Sequence, residues 1–221
     1  MASVKTLDIA CARKVIEAKH YSHRLGICWE AFGLFVGDEL VGVVCYGQPS
    51  APIQKYAFAN RDFRLYELTR LVVDRGVKNG ASMLIAGSLK LLSEQHSAVV
   101  SYADSAHGHC GIVYQATNWL YTGATVSHDH LYKVGDQLLH PMSIRDRFNV
   151  TNIKQWAKDN HVETVKPSKK YRYFKFLGTF KQRTRMSETL SYSIQTPYPK
   201  SDKQIYDDGP LCCEITKKEK K

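Results

Sequence analysis

No two of the six cysteines, Cys11, Cys28, Cys45, Cys110, Cys212 and Cys213, stand as a CxxC pair. That spacing excludes a zinc ribbon and argues against a disulfide framework. The thiols are expected to be small buried groups or, for the last two, part of a tail. No apolar run approaches the roughly 18–20 residues of a membrane span. The opening MASVKTLDIACARKV lacks the apolar stretch and small-residue cleavage site of a secretory leader. A soluble, intracellular protein with no membrane partner is expected. A Walker A sequence, a complete GxGxxG and internal repeats are all missing. Acidic residues are the scarcer charged class, 21 against 31 Lys and Arg, for a net charge of +10.

What is present is enough for one sizeable core: 221 residues, 43% of them hydrophobic. The positive charge is localised. Between Arg145 and Arg185 there are 12 Lys and Arg against 3 Asp and Glu, a net of +9. Phe148, Trp156, Tyr171, Tyr173, Phe174, Phe176 and Phe180 interleave with those cations. Cations among aromatics suit a phosphate backbone and unstacked bases. A solvated basic face over ordinary core aromatics is the plainer reading of the same pattern.

Apolar periodicity gives the order of elements. Leu7 to Lys19 has helical spacing, with Ile9, Ala12, Val15 and Ile16 on one stripe. Cys28 to Val36 and Leu40 to Tyr46 read as strands of a hairpin around Gly37-Asp38. Residues 47–64 read as a loop. Leu65 to Val73 alternates as a strand, and a helix follows from Ala81. Ala98 to Ala103 is a short buried strand. A second helix is expected from about Gly108, with Ile112, Val113 and Ala116 inward, and Trp119 to Val126 returns as a strand. This order predicts an α/β fold with a mixed central sheet flanked by helices. The expected organisation is a core over 1–144, a basic aromatic extension over 145–200 and a flexible tail over 201–221.

Chemistry is expected where strands hand over to helices. After Val73, a loop with Gly76 and Gly80 leads into a helix whose first amides and dipole suit an anion. Lys78, Asn79, Gly80 and Ser82 are the candidates to bind it; a plain helix entry is the alternative. Asp104 closes a buried strand and suits a general base, a metal ligand or the cap of the next helical turn. His107 and His109 stand beside it, while His128-Asp129-His130 reads as turn polarity. Tyr114, one position off its helix stripe, is placed to donate a proton or simply to pack at a rim.

Two resemblances meet on these residues. The strand, glycine-bearing loop and helix over 65–95, with Tyr114-Gln-Ala-Thr-Asn118-Trp119 beyond, resemble the GNAT acetyltransferase core. That likeness implies a loop for acyl-coenzyme A and a tyrosine acid, although Asn118-Trp119 stands where Gly-Phe is usual. Glu-Leu-Thr-Arg-Leu at 67–71, Lys-Asn-Gly-Ala-Ser at 78–82, Ser-Tyr-Ala-Asp at 101–104, Gly-His at 108–109, Tyr-Gln-Ala-Thr-Asn at 114–118, and the later Lys-Tyr-Arg-Tyr and Pro-Tyr-Pro-Lys are similar to the Mom family of bacteriophage DNA-modification proteins. This second likeness implies a GNAT-like enzyme that methylcarbamoylates adenine in double-stranded DNA, within the host cytoplasm, and shields phage DNA from restriction. It implies catalytic roles for His20, Tyr21, Asp104 and Tyr114, with Arg70 joining the donor-binding residues. Iron is implied as a cofactor, on Tyr21 and Asp104. The donor is expected to be an acyl-coenzyme A or another activated glycine- or acetyl-type molecule. Arg145, Arg147, Lys169, Lys170 and Arg172 are expected to contact DNA. An acetyltransferase acting on a small amine or protein, and a non-enzymatic nucleic-acid-binding protein, are the competing readings.

Overall fold

Gly37 takes the left-handed φ of +63° that a tight turn between two strands requires. In the computed structural model, which describes residues 2–92, 96–125 and 130–200, this turn joins β2 (Glu30–Val36) to β3 (Glu39–Gly47) as the expected antiparallel pair. Cys212, Cys213, His128, Asp129 and the expected 201–221 tail lie outside the described residues.

A seven-stranded sheet in the order β1-β2-β3-β4-β5-β10-β6 forms the centre. Its strands are β1 (Ala2–Thr6), β2, β3, β4 (Arg64–Val73), β5 (Ser97–Asp104), β6 (Leu120–Thr125) and β10 (Lys170–Leu177). Among the described residues only β4 and β5 pair in parallel. The α/β class with a mixed sheet and flanking helices is as the periodicity predicts. Helix α1 (Ile9–Lys19) buries Ala12, Val15 and Ile16, and the Asp8 carboxylate caps its first amides. It packs on one face of the sheet, against Val43 and Cys45. Helix α3 (Gly80–Leu91) covers the other face with Leu84, Ile85 and Leu89. A short helix, α2 (Ala51–Tyr56), stands inside the stretch expected as loop; Pro52 in its first turn starts it.

Two features departed from the sequence pattern. β1 went unread because Val4 is its one large apolar residue. β10 was read as a nucleic-acid surface, yet it is inserted antiparallel between β5 and β6. Its Tyr173, Phe174 and Phe176 are buried, on alternate faces. A strand covered on both sides loses the apolar–polar alternation that marks an exposed one.

Residues 145–200, expected as an extension on the core, therefore supply a strand of the central sheet. They also supply α7 (Phe180–Thr189) and part of a small module. That module lies between β6 and β10 in the chain. It contains β7 (Leu131–Val134), β8 (Gln137–Leu139), α5 (Pro141–Phe148), α6 (Ile153–Asp159) and β9 (Glu163–Val165). Its own core is Tyr132, Ile144 and Ala157, with Phe148 stacked on Trp156 at 4.7 Å. Lys170 pairs with both Thr125 and Asp104. The chain thus leaves the sheet and re-enters it at the end where Asp104 stands.

Helix α4 (Ile112–Ala116) begins later than expected and turns the other way. Tyr114 is its inward residue, whereas Ile112 and Ala116 are exposed. The Tyr114 ring sits 5.1 Å from Trp119 and 5.3 Å from Tyr173. Gly111 permits this entry: its φ is +83°, and a Cβ there would lie 2.5 Å from the Tyr173 ring. Replacing Gly111 with Ala is expected to cost about 1–3 kcal/mol from backbone strain alone, read as a lower urea midpoint. An unchanged midpoint would contradict this packing.

Candidate functional site

β4 and β5 pair over only four residues, Arg64–Ser97 through Glu67–Val100. Beyond that point β4 runs on to Val73 and β5 to Asp104, and the two strands part. The β3–β4 register shifts at the same level, looping out Thr69, and such a bulge bends a strand. A hydroxyl fills the apex of the gap. Ser101 Oγ donates to the Leu68 carbonyl at 2.9 Å and lies 2.8 Å from the Tyr114 hydroxyl. Ser101 has one proton and the carbonyl takes it, so Tyr114 donates to Ser101. Burial pushes the Tyr114 phenol up to about 12, so it keeps its proton at neutral pH.

The sequence-derived residues divide between the two faces of the sheet. On the α3–α4 face, Ser82 lines a cleft of about 620 Å³ with Met83, Ala86, Lys90, Lys175 and Arg183. Phe176 and Leu177 add an apolar wall, and among the described residues no carboxylate lines the cleft. Lys175 Nζ donates to the Thr117 and Asn118 carbonyls, 2.9 and 3.1 Å away. Burial and Arg183 lower the Lys175 pKa. Asn79 sits before α3 with φ +58° and makes no side-chain cap. Gly80 is required there, since a Cβ would lie 2.7 Å from Val73 Cγ1. Lys78 is exposed in the same loop. Asp104 and Tyr114 do not line this cleft.

The opposite face gathers His20, Tyr21, Glu67, Arg70, Asp104, His107 and His109. Alternation along β5 puts Asp104 on the side of Tyr102, away from Ala103 and Tyr114. Arg70 was expected with the donor-binding residues but belongs here. It pairs with Cys45, facing α1, and donates to the carbonyls of Arg24 and Thr69, both at 2.6 Å. His20 accepts from the Ser22 amide through Nδ1 at 3.1 Å, which assigns its proton to Nε2 in the neutral ring. Burial, then Arg70, His109 and His107, lower its pKa to about 3. Tyr21 stacks between His20 and His107, with centroids 4.2 and 4.0 Å away. Burial and the Asp104 charge raise the Tyr21 phenol.

Asp104 is already engaged. Its Oδ1 accepts from Ser168 Oγ and from the Ala106 amide, capping the 3₁₀ turn at 105–107, and its Oδ2 lies 3.9 Å from Lys170 Nζ. These donors do not fit an iron centre on Tyr21 and Asp104. Nor do three His, Cys, Asp or Glu groups converge among the described residues.

Of the expected DNA contacts, Arg145 and Arg147 are exposed in the last turn of α5, and Arg147 donates to Gln137 at 3.1 Å. Lys169 and Lys170 are exposed beside Asp104. Arg172 is turned inward. Its guanidinium lies 3.4 Å over Tyr192 and bonds Thr122 at 3.0 and 2.9 Å. Burial lowers its pKa. It is therefore not a free cation for a phosphate.

Glu67 is the residue that sequence reasoning missed. It closes the parallel ladder, and burial raises its carboxyl above the usual range despite Lys170, Arg70 and the Ser50 amide nearby. Only its position at the parting of the strands marks it, and that depends on tertiary structure.

An α/β enzyme core with a parted sheet, a basic cleft on one face and a polar aromatic cluster on the other is the class these features define. The model of the Mom protein family matches residues 2–200, and the chain belongs to that family. The methylcarbamoylase mom of Escherichia phage Mu is 30% identical over 206 residues, covering 89% of this chain and 83% of the phage Mu protein. Among solved structures, a probable acetyltransferase from Staphylococcus epidermidis is 11% identical and overlaps 80% of this chain and 99% of its own, with a TM-score of 0.47. Arabidopsis thaliana NAA60 in complex with acetyl-CoA is 10% identical, over 80% and 98%, also at 0.47.

The raised Glu67 carboxyl carries a stability consequence. The fold favours its neutral form, so this group's stabilisation is present below the ordinary carboxylate pKa and is lost as pH rises through the folded value. Glu67→Gln is expected to exceed wild type in urea midpoint at neutral pH and to converge with it near about pH 4. A variant less stable at neutral pH would contradict the assignment.

Proposed function

We propose that this protein is a transferase that modifies the exocyclic amine of adenine in double-stranded phage DNA, adding a methylcarbamoyl group and so shielding the DNA from restriction in the host cytoplasm. Family membership across residues 2–200 carries the reading. The two faces of the parted sheet supply its physical content.

The donor occupies the α3–α4 face. Among the described residues, three cations and no acid line the cleft beside Ser82, over an apolar wall. That chemistry suits a phosphorylated carrier such as an acyl-coenzyme A, with Asn79, Gly80 and Lys78 at the helix entry. The acceptor adenine enters from the opposite face. Lys169, Lys170, Arg145 and Arg147 lie along the chain that leaves and re-enters the sheet at that end, placing cations for the DNA backbone. Reaching the amine requires extruding the base from the duplex.

The adenine amine is a weak nucleophile because its lone pair is delocalised into the ring. As its nitrogen bonds a carbon of the donor, the bond from that carbon to the donor's leaving group breaks, the leaving group departs with the electron pair, and the N–H proton must leave. Asp104 is consumed by Ser168, Ala106 and Lys170, and His20 is too weak a base. Glu67, at the point where the strands part, accepts that proton, while Tyr114 holds Ser101 at the gap. No step is routed through iron, because the residues present do not fit it.

The test is mass analysis of nucleosides from DNA of cells expressing the protein. Wild type is expected to convert deoxyadenosine, and Glu67→Gln to lower conversion by about 10²-fold while remaining soluble and folded. Unaltered deoxyadenosine with soluble wild-type protein overturns the reading. Turnover of acetyl-coenzyme A without DNA would favour an N-acetyltransferase instead.

A further inference from the structure

The His20–Tyr21–His107 stack is the one cluster on the acceptor face that neither the donor cleft nor the proton acceptor uses. Centroid separations of 4.2 and 4.0 Å put the rings in direct contact, tilted by 31° and 35°. Tyr21 occupies the middle. His20 is buried at one end, so the stack opens toward its other end, at half-buried His107. His109 approaches His107 more obliquely, at 6.0 Å.

We propose that Tyr21 and His107 form a stacking platform that receives the extruded adenine, His107 offering the ring face and Tyr21 backing it. This rests on the function proposed above and assigns the acceptor subsite within it. The platform fits its occupant in two ways. Its rings lie where the two strands part, since His107 belongs to the turn that Asp104 caps. Cations for the flanking phosphates adjoin it: the Ser105 amide, two residues before His107, donates to the Lys169 carbonyl at 3.0 Å, and Lys170 pairs with Asp104. Such a pairing of aromatic rings with backbone-tracking cations is how unstacked bases are gripped.

A platform and a phenolate ligand make opposite demands on Tyr21. The platform needs a ring; a ligand needs the oxygen. Purified full-length Tyr21→Ala, Tyr21→Phe, His107→Ala and His107→Phe are compared by fluorescence anisotropy on two DNA duplexes. One is fully paired, and the other carries a single unopposed adenine that is already unstacked. Wild type is expected to prefer the second duplex. Both alanine variants are expected to lose that preference by roughly tenfold, and both phenylalanine variants to keep it, which also separates lost stacking from lost folding. Preference lost equally in Tyr21→Phe and Tyr21→Ala, or retained in both alanine variants, overturns the platform alone, provided that wild type still modifies DNA. A wild-type protein that binds neither duplex overturns the proposed function and the platform together.

Discussion

Where β4 and β5 stop pairing decides everything downstream in this molecule. A parallel ladder continued past Glu67 would seal the sheet with backbone hydrogen bonds, and its two faces could not communicate. Instead the Thr69 bulge bends β4, and the Ser101 hydroxyl takes over the Leu68 carbonyl that the ladder abandons. An unpaired buried carbonyl would cost about 1–3 kcal/mol, so a single side chain makes the opening tolerable. The same hydroxyl receives Tyr114, and through it α4 is fixed against the gap.

The opening makes sense of a charge concentration that reads as a single basic patch in the sequence. The cations between Arg145 and Arg185 do not form one surface. Lys175 and Arg183 line the cleft beside Ser82, Lys170 faces Asp104, Arg172 is packed beneath Tyr192, and Arg185 pairs with Asp62 at 3.0 Å. The small module carries Arg145 and Arg147 on its own helix. One basic stretch of sequence thus serves both faces because β10 runs between β5 and β6, and residues on alternate sides of a strand meet different partners.

That division explains which parts of the protein were legible in its sequence. The hairpin at Gly37-Asp38, α1, α3 and the buried β5 announce themselves through short-range periodicity and turn chemistry. The candidate residues His20, Tyr21, Asp104 and Tyr114 were also visible, as polar groups at element ends. Their grouping was not. Ser82, Asp104 and Tyr114 all stand near junctions of strand and helix, but one-residue alternation sends Asp104 to the face opposite the other two. Arg70 changed sides because a bulge at Thr69 has no sequence signature that separates it from a regular strand. Glu67 was hidden for a related reason: the end of a ladder is set by a partner 33 residues away. Ile112 and Ala116 looked inward by composition, yet the hydrogen bond and ring contacts of Tyr114 turned a five-residue helix the other way.

The central claim is that the parted strands join a donor face to an acceptor face through Ser101. Amide resonances of the protein, followed while coenzyme A is titrated in, test it most directly. The account predicts shifts at Ser82 and Ala86 in the cleft that extend through Leu68, Ser101 and Tyr114 at the gap. Shifts confined to the small module over residues 130–165, or none at saturating ligand, would contradict it.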